Sequence, residues 1–221
     1  MAERSDTKRR ILATALDLFN LEGEGEVSAV DIASVMGISP GNLYYHYKGK
    51  EPIIAALWED FEAEIRQVLG APVARPLAMD DNWIYLFIVF EEIWDFRFFY
   101  RDPAGIIARV PELGARFSHL LALKEETARA LLGQLEHLGA LEFRPSKDGA
   151  VGARDALAER LAQHVSVWVN YRSLRRSGGG EAKRELINAG VHQALQMIAP
   201  FARDEVLFAE GLEATARQAP V

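Results

Sequence analysis

Between residues 39 and 50 the chain places Ser39, Asn42, Tyr44, Tyr45, His46, Tyr47, Lys48 and Lys50. Hydroxyl, amide, phenol, imidazole and ammonium groups on so short a stretch suit recognition of a polar, anionic surface. An Asn amide pairs bidentately with adenine, Tyr and Pro meet thymine methyls, and Lys meets phosphates. Elsewhere no catalytic constellation stands out. There is no Gly-x-Ser-x-Gly, no His-Glu-x-x-His and no phosphate-binding Gly loop. Gly178–Gly180 lacks the preceding strand that a nucleotide loop needs. The histidines (His46, His119, His137, His164 and His192) do not pair at helical spacing, and they read as core or surface imidazoles, with no metal expected.

A helix must carry these groups and a second must brace it. Ser39 suits an N-cap, and Pro40 suits the first turn, where its missing N–H has no helical partner. Upstream, Ser28 followed by Asp31 is a capping-box pattern with Asp in place of Glu or Gln. Ile32, Val35 and Met36 share one apolar face, and Gly37 ends that helix where a left-handed residue is cheap. Two short helices joined by a Gly-containing turn form a helix-turn-helix of the kind that enters the DNA major groove. The same spacing also fits a helical hairpin with packed tyrosines. A first helix from near Ser5 and Asp6 brings Ile11, Leu12, Ala15, Leu16, Leu18 and Phe19 to one face and stops at Glu22-Gly-Glu-Gly-Glu26. Lys8, Arg9 and Arg10 in its first turns fit either a solvated face or phosphate contact.

The chain of 221 residues can bury a good core in one or two domains. It has no cysteine, which excludes disulfides, thiolate metal sites and cysteine nucleophiles. No signal-peptide core opens it, and the apolar run Trp83 to Phe90 is too short for a bilayer, so a cytoplasmic protein with no membrane partner is expected. The net charge of −7 argues mildly against nucleic acid. Within residues 1–50, Arg4, Lys8, Arg9, Arg10, Lys48 and Lys50 sit near the two ends, and Glu22, Glu24 and Glu26 gather in the loop. Modest, salt-dependent affinity follows.

Helical periodicity continues from Lys50 to about Leu69, with a break over Gly70–Pro76. Further helices are expected over 80–97, 103–109, from Pro111 to Gly139, over 153–176 and over 181–199, with a weaker one near 204–216. A polar turn over 139–152 and a flexible Ser177–Gly180 connection separate them. Aromatics are dense from 83 to 100, which fits a packed junction or the wall of an apolar ligand pocket.

Residues 8–57 resemble the N-terminal DNA-binding domain of the TetR/AcrR family of bacterial repressors. The resemblance is carried by Arg10-Ile-Leu-x-x-Ala15-Leu-x-Leu-Phe19, Gly23, Ser28, Asp31-Ile-Ala33, Met36-Gly37-Ile-Ser39, Leu43-Tyr44-x-His46-Tyr47, Lys50-Glu51 and Leu57. Glu24 replaces a commonly aromatic residue and Val30 a common cation, so both remove possible backbone contacts. The resemblance implies an all-α fold: a helix-turn-helix domain of three helices over 1–50, then a larger helical effector-binding and dimerisation domain over 51–221. It implies that Ser39, Gly41, Asn42, Tyr45 and His46 face bases or the groove. Tyr44 and Lys50 would contact phosphates, Ser28 would be a further anchor, and Lys48 joins the DNA-facing set.

An effector cavity is implied as well, with Phe87, Glu91, Trp94, Phe98, Tyr100, Phe117 and Trp168 as candidate lining. Pairing through the last two long helices would make a homodimer, with Leu161, Val165, Trp168, Leu186, Gly190 and Ala194 as candidate interface. The small residues Ala189, Gly190 and Ala194 let helices approach closely, in a dimer or within one chain. The expected function is a repressor, not an enzyme and with no cofactor, that binds double-stranded DNA at a palindromic operator and is released by a small apolar or aromatic effector. Two other classes stay open: a helical binding module that no longer reads DNA, and an all-α enzyme built on the aromatic pocket.

Overall fold

The structure is a computed structural model and describes residues 2–74, 81–144, 152–175 and 182–204. Helix α1 spans Ala2–Glu22 and a 3-10 turn Glu24–Glu26, followed by α2, Ala29–Val35, and α3, Pro40–His46. Gly23 and Gly37 take φ of 99° and 65°, the left-handed turns that L side chains avoid. Then come α4, Lys50–Ala74; α5, Asp81–Asp95; α6, Phe98–Arg101; and α7, Pro103–Arg109. The longest late helices are α8, Leu113–His137; α9, Ala153–Arg175; and α10, Lys183–Ile198. Among the described residues there is no strand, only an isolated bridge between Leu141 and Ala202. No described helix is long and apolar enough to cross a membrane.

Several boundaries differ from the sequence expectation. Helix α1 starts at Ala2, ahead of Ser5. The break expected at Gly70 is absent, because α4 continues to Ala74 with Pro72 inside it. Pro72 has no N–H to give the helix, and its carbonyl, which lies in the last turn and has no helical donor, accepts from Gln134 Nε2 at 3.2 Å. Helix α5 stops at Asp95, and Phe96–Arg97 form a turn ahead of α6. The expected Ser177–Gly180 connection and most of the expected final helix lie outside the described residues.

The chain folds into two compact units. The first joins Met1–Glu64 to Asp95–Ser118. Its core sets Ile11, Ala15 and Phe19 of α1, Ile32 and Ala33 of α2 and Leu43 of α3 with an aromatic cluster. Trp58 meets Phe99 at 5.0 Å and Phe117 at 4.1 Å between ring centroids, Phe61 meets Phe96 at 5.2 Å, and Phe19 meets Phe98 at 5.2 Å. The second unit joins Ile65–Trp94 to His119–Val221. A close junction lies on Gly190 of α10, where an added Cβ would lie 2.7 Å from the Phe90 ring and 2.8 Å from the Trp168 indole.

Candidate nucleic-acid interface

Helix α3 is short, and its neighbours hold it. Ser39 Oγ caps it by accepting from the Asn42 amide at 3.2 Å. Leu43 is fully buried beneath it, which fixes its rotation. Ser39, Gly41, Asn42, Tyr44 and Tyr45 are exposed on its open side, and Lys48 is exposed just beyond its end. The structure thus gathers these six on the outside of the first unit. His46 is half-buried, and its ring meets the Tyr45 ring edge-on at 5.2 Å. Lys8 of α1 lies 5.5 Å over the Tyr47 ring, a cation–π contact that ties the basic start of α1 to the end of α3.

Two predicted phosphate contacts are engaged within the chain. Ser28 forms the expected capping box: Asp31 N donates to Ser28 Oγ at 3.2 Å, while Ser28 N and Oγ donate to Asp31 Oδ2 at 2.8 and 2.6 Å. The Ser28 hydroxyl, and then its amide, hold the Asp31 carboxyl below its ordinary pKa. A carboxylate therefore sits at the N-terminus of α2, where a phosphate would otherwise be received. Lys50 turns to Glu24. Its Nζ donates to the Glu24 carbonyl at 2.8 Å and lies 2.8 Å from Oε1 as an ion pair. Arg109 of α7 pairs with Oε2 of the same carboxylate. At the sequence level Glu24 reads as a lost contact, yet it is a buried anion with two cationic partners. No local signal marks the Arg109 pairing, because the partners are 85 residues apart.

The candidate effector residues divide between the two units. Phe98, Tyr100 and Phe117 are buried in the aromatic core of the first. Phe87, Glu91, Trp94 and Trp168 belong to the second, where Trp94 lies 6.0 Å from Trp168 and Glu91 pairs with Lys183 at 3.2 Å. Trp168 Nε1 and the Tyr85 hydroxyl are buried there with no hydrogen-bond partner among the described residues. His164 Nε2 donates to the Gly190 carbonyl at 3.1 Å, and burial lowers its pKa against that bond. The sequence expectation omits Lys124. It is only 4% exposed, donates to Ser166 Oγ at 3.1 Å, and is pushed down to about 7 by burial. Among the described residues no group of three or more His, Cys, Asp or Glu is placed to hold a metal.

The candidate dimer residues Leu161, Val165, Trp168, Leu186, Gly190 and Ala194 are all buried inside the chain, between α9, α10 and their neighbours. The small Gly190 brings Trp168 and Phe90 of its own chain into contact. The exposed stripe of α9 is instead Val167, Tyr171 and Leu174, the last 80% exposed.

Residues 60–208 match the family described as "Bacterial transcriptional repressor", TetR, and residues 11–57 match "Bacterial regulatory proteins, tetR family". The HTH-type transcriptional regulator AcrR of Shigella flexneri is 33% identical over 66 residues, 30% of this chain and 31% of that protein. SrpR of Pseudomonas putida, also an HTH-type transcriptional regulator, is 32% identical over 56 residues, 25% of this chain and 26% of that protein. The matched stretch spans under a third of either relative. A TetR-family transcriptional regulator from Marinobacter aquaeolei VT8 superposes with a TM-score of 0.81 at 26% identity, over 97% of this chain and 99% of that chain. The ketosteroid transcriptional regulator KstR2 of Mycobacterium tuberculosis shares the fold, with a TM-score of 0.62 at 21% identity over 90% of this chain and 96% of that one. With one family match covering more than half of its length and a second covering its helix-turn-helix, this chain belongs to the TetR family of bacterial transcriptional regulators.

Proposed function

We propose that this chain is a DNA-binding repressor that reads a palindromic operator as a homodimer and leaves it when a small apolar or aromatic effector binds. The observation that carries this reading is the outer side of α3, where Ser39, Gly41, Asn42, Tyr44, Tyr45 and Lys48 are exposed over the buried Leu43. A capped helix with an open polar side and a fixed rotation suits the major groove. Asn42 and Tyr45 would meet base edges, with His46 beside them, and Tyr44 and Lys48 would meet phosphates. Ser28 and Lys50 contribute less directly, given their partners Asp31 and Glu24. Pairing two heads requires a dimer, and the exposed Val167–Tyr171–Leu174 stripe supports one through α9. The effector would bind in the second unit near Phe87, Glu91, Trp94 and Trp168, where buried donors on Trp168 and Tyr85 have no partner among the described residues. Its binding releases DNA only if it prefers the conformation that binds DNA poorly. Such a regulator works in the cytoplasm, where the DNA is.

Selection of purified protein against a random duplex pool at two salt concentrations tests this. An enriched palindrome whose binding weakens steeply with salt is the expected result. The second reading, a helical binding module that no longer reads DNA, draws on the internal commitment of Ser28 and Lys50. Folded dimer that enriches nothing, even after refolding free of bound ligand, would establish that reading instead.

A further inference from the structure

Within five residues at the end of α1 and the following turn, two polar side chains grip the Asp95–Arg109 segment of the same unit. Asn20, 6% exposed, donates from Nδ2 to the Asp95 carbonyl at 2.7 Å and accepts from the Phe98 amide on Oδ1 at 3.1 Å. Arg101 donates to the Asn20 carbonyl at 2.6 Å. Glu24, also 6% exposed, holds Arg109 on one carboxylate oxygen and Lys50 on the other. Among the described residues the Lys50 ammonium contacts the carbonyl and the carboxylate of Glu24, and its side chain is 15% exposed. Moving Lys50 out to a phosphate would leave a buried carboxylate short of one cation, which is costly. Exposed Lys48 carries no such cost.

We infer that Glu24, Lys50 and Arg109 form an internal ion lock that positions the DNA-reading head, and that Lys50 acts through Glu24 rather than on a phosphate. The second half of this inference rests on the DNA-binding reading; the first half does not. The lock fixes the turn two residues ahead of the Ser28 cap, and so sets the entry angle of α2 and the seat of α3. It makes Glu24 a positioning residue.

The test compares Lys48→Gln, Lys50→Gln, Glu24→Gln and Arg109→Gln in the full chain. On a duplex enriched by the parent protein, Lys48→Gln should flatten the plot of log affinity against log salt by about 0.9, the value for one released phosphate contact. Lys50→Gln should leave the slope at the parent value while affinity falls by about twofold to thirtyfold, the range of coupling through a positioning residue. A slope loss for Lys50→Gln equal to that for Lys48→Gln overturns the inference. Amide hydrogen exchange supplies an arm that needs no DNA. Arg109→Gln, at a partly exposed site, should speed exchange at Gly23, Glu26 and Val27, and should add nothing when combined with Glu24→Gln. Unchanged exchange over those residues in Arg109→Gln overturns the lock. A parent that enriches no duplex would remove the DNA-binding reading, and exchange would still decide the lock.

Discussion

At Gly190 one absent carbon lets Phe90, Trp168 and α10 meet. Gly190→Ala should destabilise the protein by about 1–3 kcal/mol, the usual cost of overpacking a filled site, measured by urea unfolding. A small residue that permits close approach is legible in the sequence; which helix approaches is not, because spacing does not name the neighbour. Lys124 teaches the converse. It shares a helical face with Leu120 and Thr127, both buried, so its spacing already placed it inward. Its charge invites the opposite assignment. Burial lowers its folded pKa to about 7 from 10.5, so between those values the unfolded chain binds more protons than the folded one. Stability should therefore rise with pH from about 7 toward 10. The difference between the parent and Lys124→Met, followed by chemical denaturation across that range, should show the rise in the parent alone.

Three short helices begin where their caps and prolines place them. The Ser28 box and the Ser39 cap are both formed, and α7 covers the 103–109 stretch read from its proline start and periodicity. Ser28→Ala should cost about 1 kcal/mol of stability in thermal or urea unfolding, as N-cap losses do. Ser39→Ala should cost a similar amount and, on an enriched duplex, should weaken binding as well, since α3 has only seven residues and cannot persist without its cap and its packing. The aromatic run from 83 to 100 shows where periodicity stops informing. It reads as one dense aromatic stretch, yet it divides after Trp94, with Phe96, Phe98, Phe99 and Tyr100 buried in the first unit and Phe90 and Trp94 against Trp168 in the second. The contacts that split it join residues far apart in sequence, and no window of neighbours contains them.

For the whole molecule, family and fold were legible from about fifty residues at the start, because the helix-turn-helix concentrates its caps, turn glycine and polar rings there. The partners of those residues were not legible. Opposite Lys50 stands Glu24, and opposite Glu24 stands Arg109. The candidate pairing residues Leu161, Val165, Trp168, Leu186, Gly190 and Ala194 are buried within the single chain, since apolar spacing marks a buried stripe without saying what buries it. If Val167, Tyr171 and Leu174 form the contact between two copies, Leu174→Glu should yield a folded monomer by sedimentation that no longer enriches a palindrome. A dimer unaffected by that change would place the contact elsewhere.

The grip of Asn20 and Glu24 on Asp95–Arg109 also bears on chimeric regulators. A graft of residues 1–50 onto a foreign body would carry an Asn20 amide cut off from Asp95 and Phe98, and a Glu24 carboxylate cut off from Arg109. Both groups are buried in the native chain, so the graft would hold them in apolar surroundings or open to water. Such a head is a part in two pieces, and a working transplant must bring the Asp95–Arg109 insert with it.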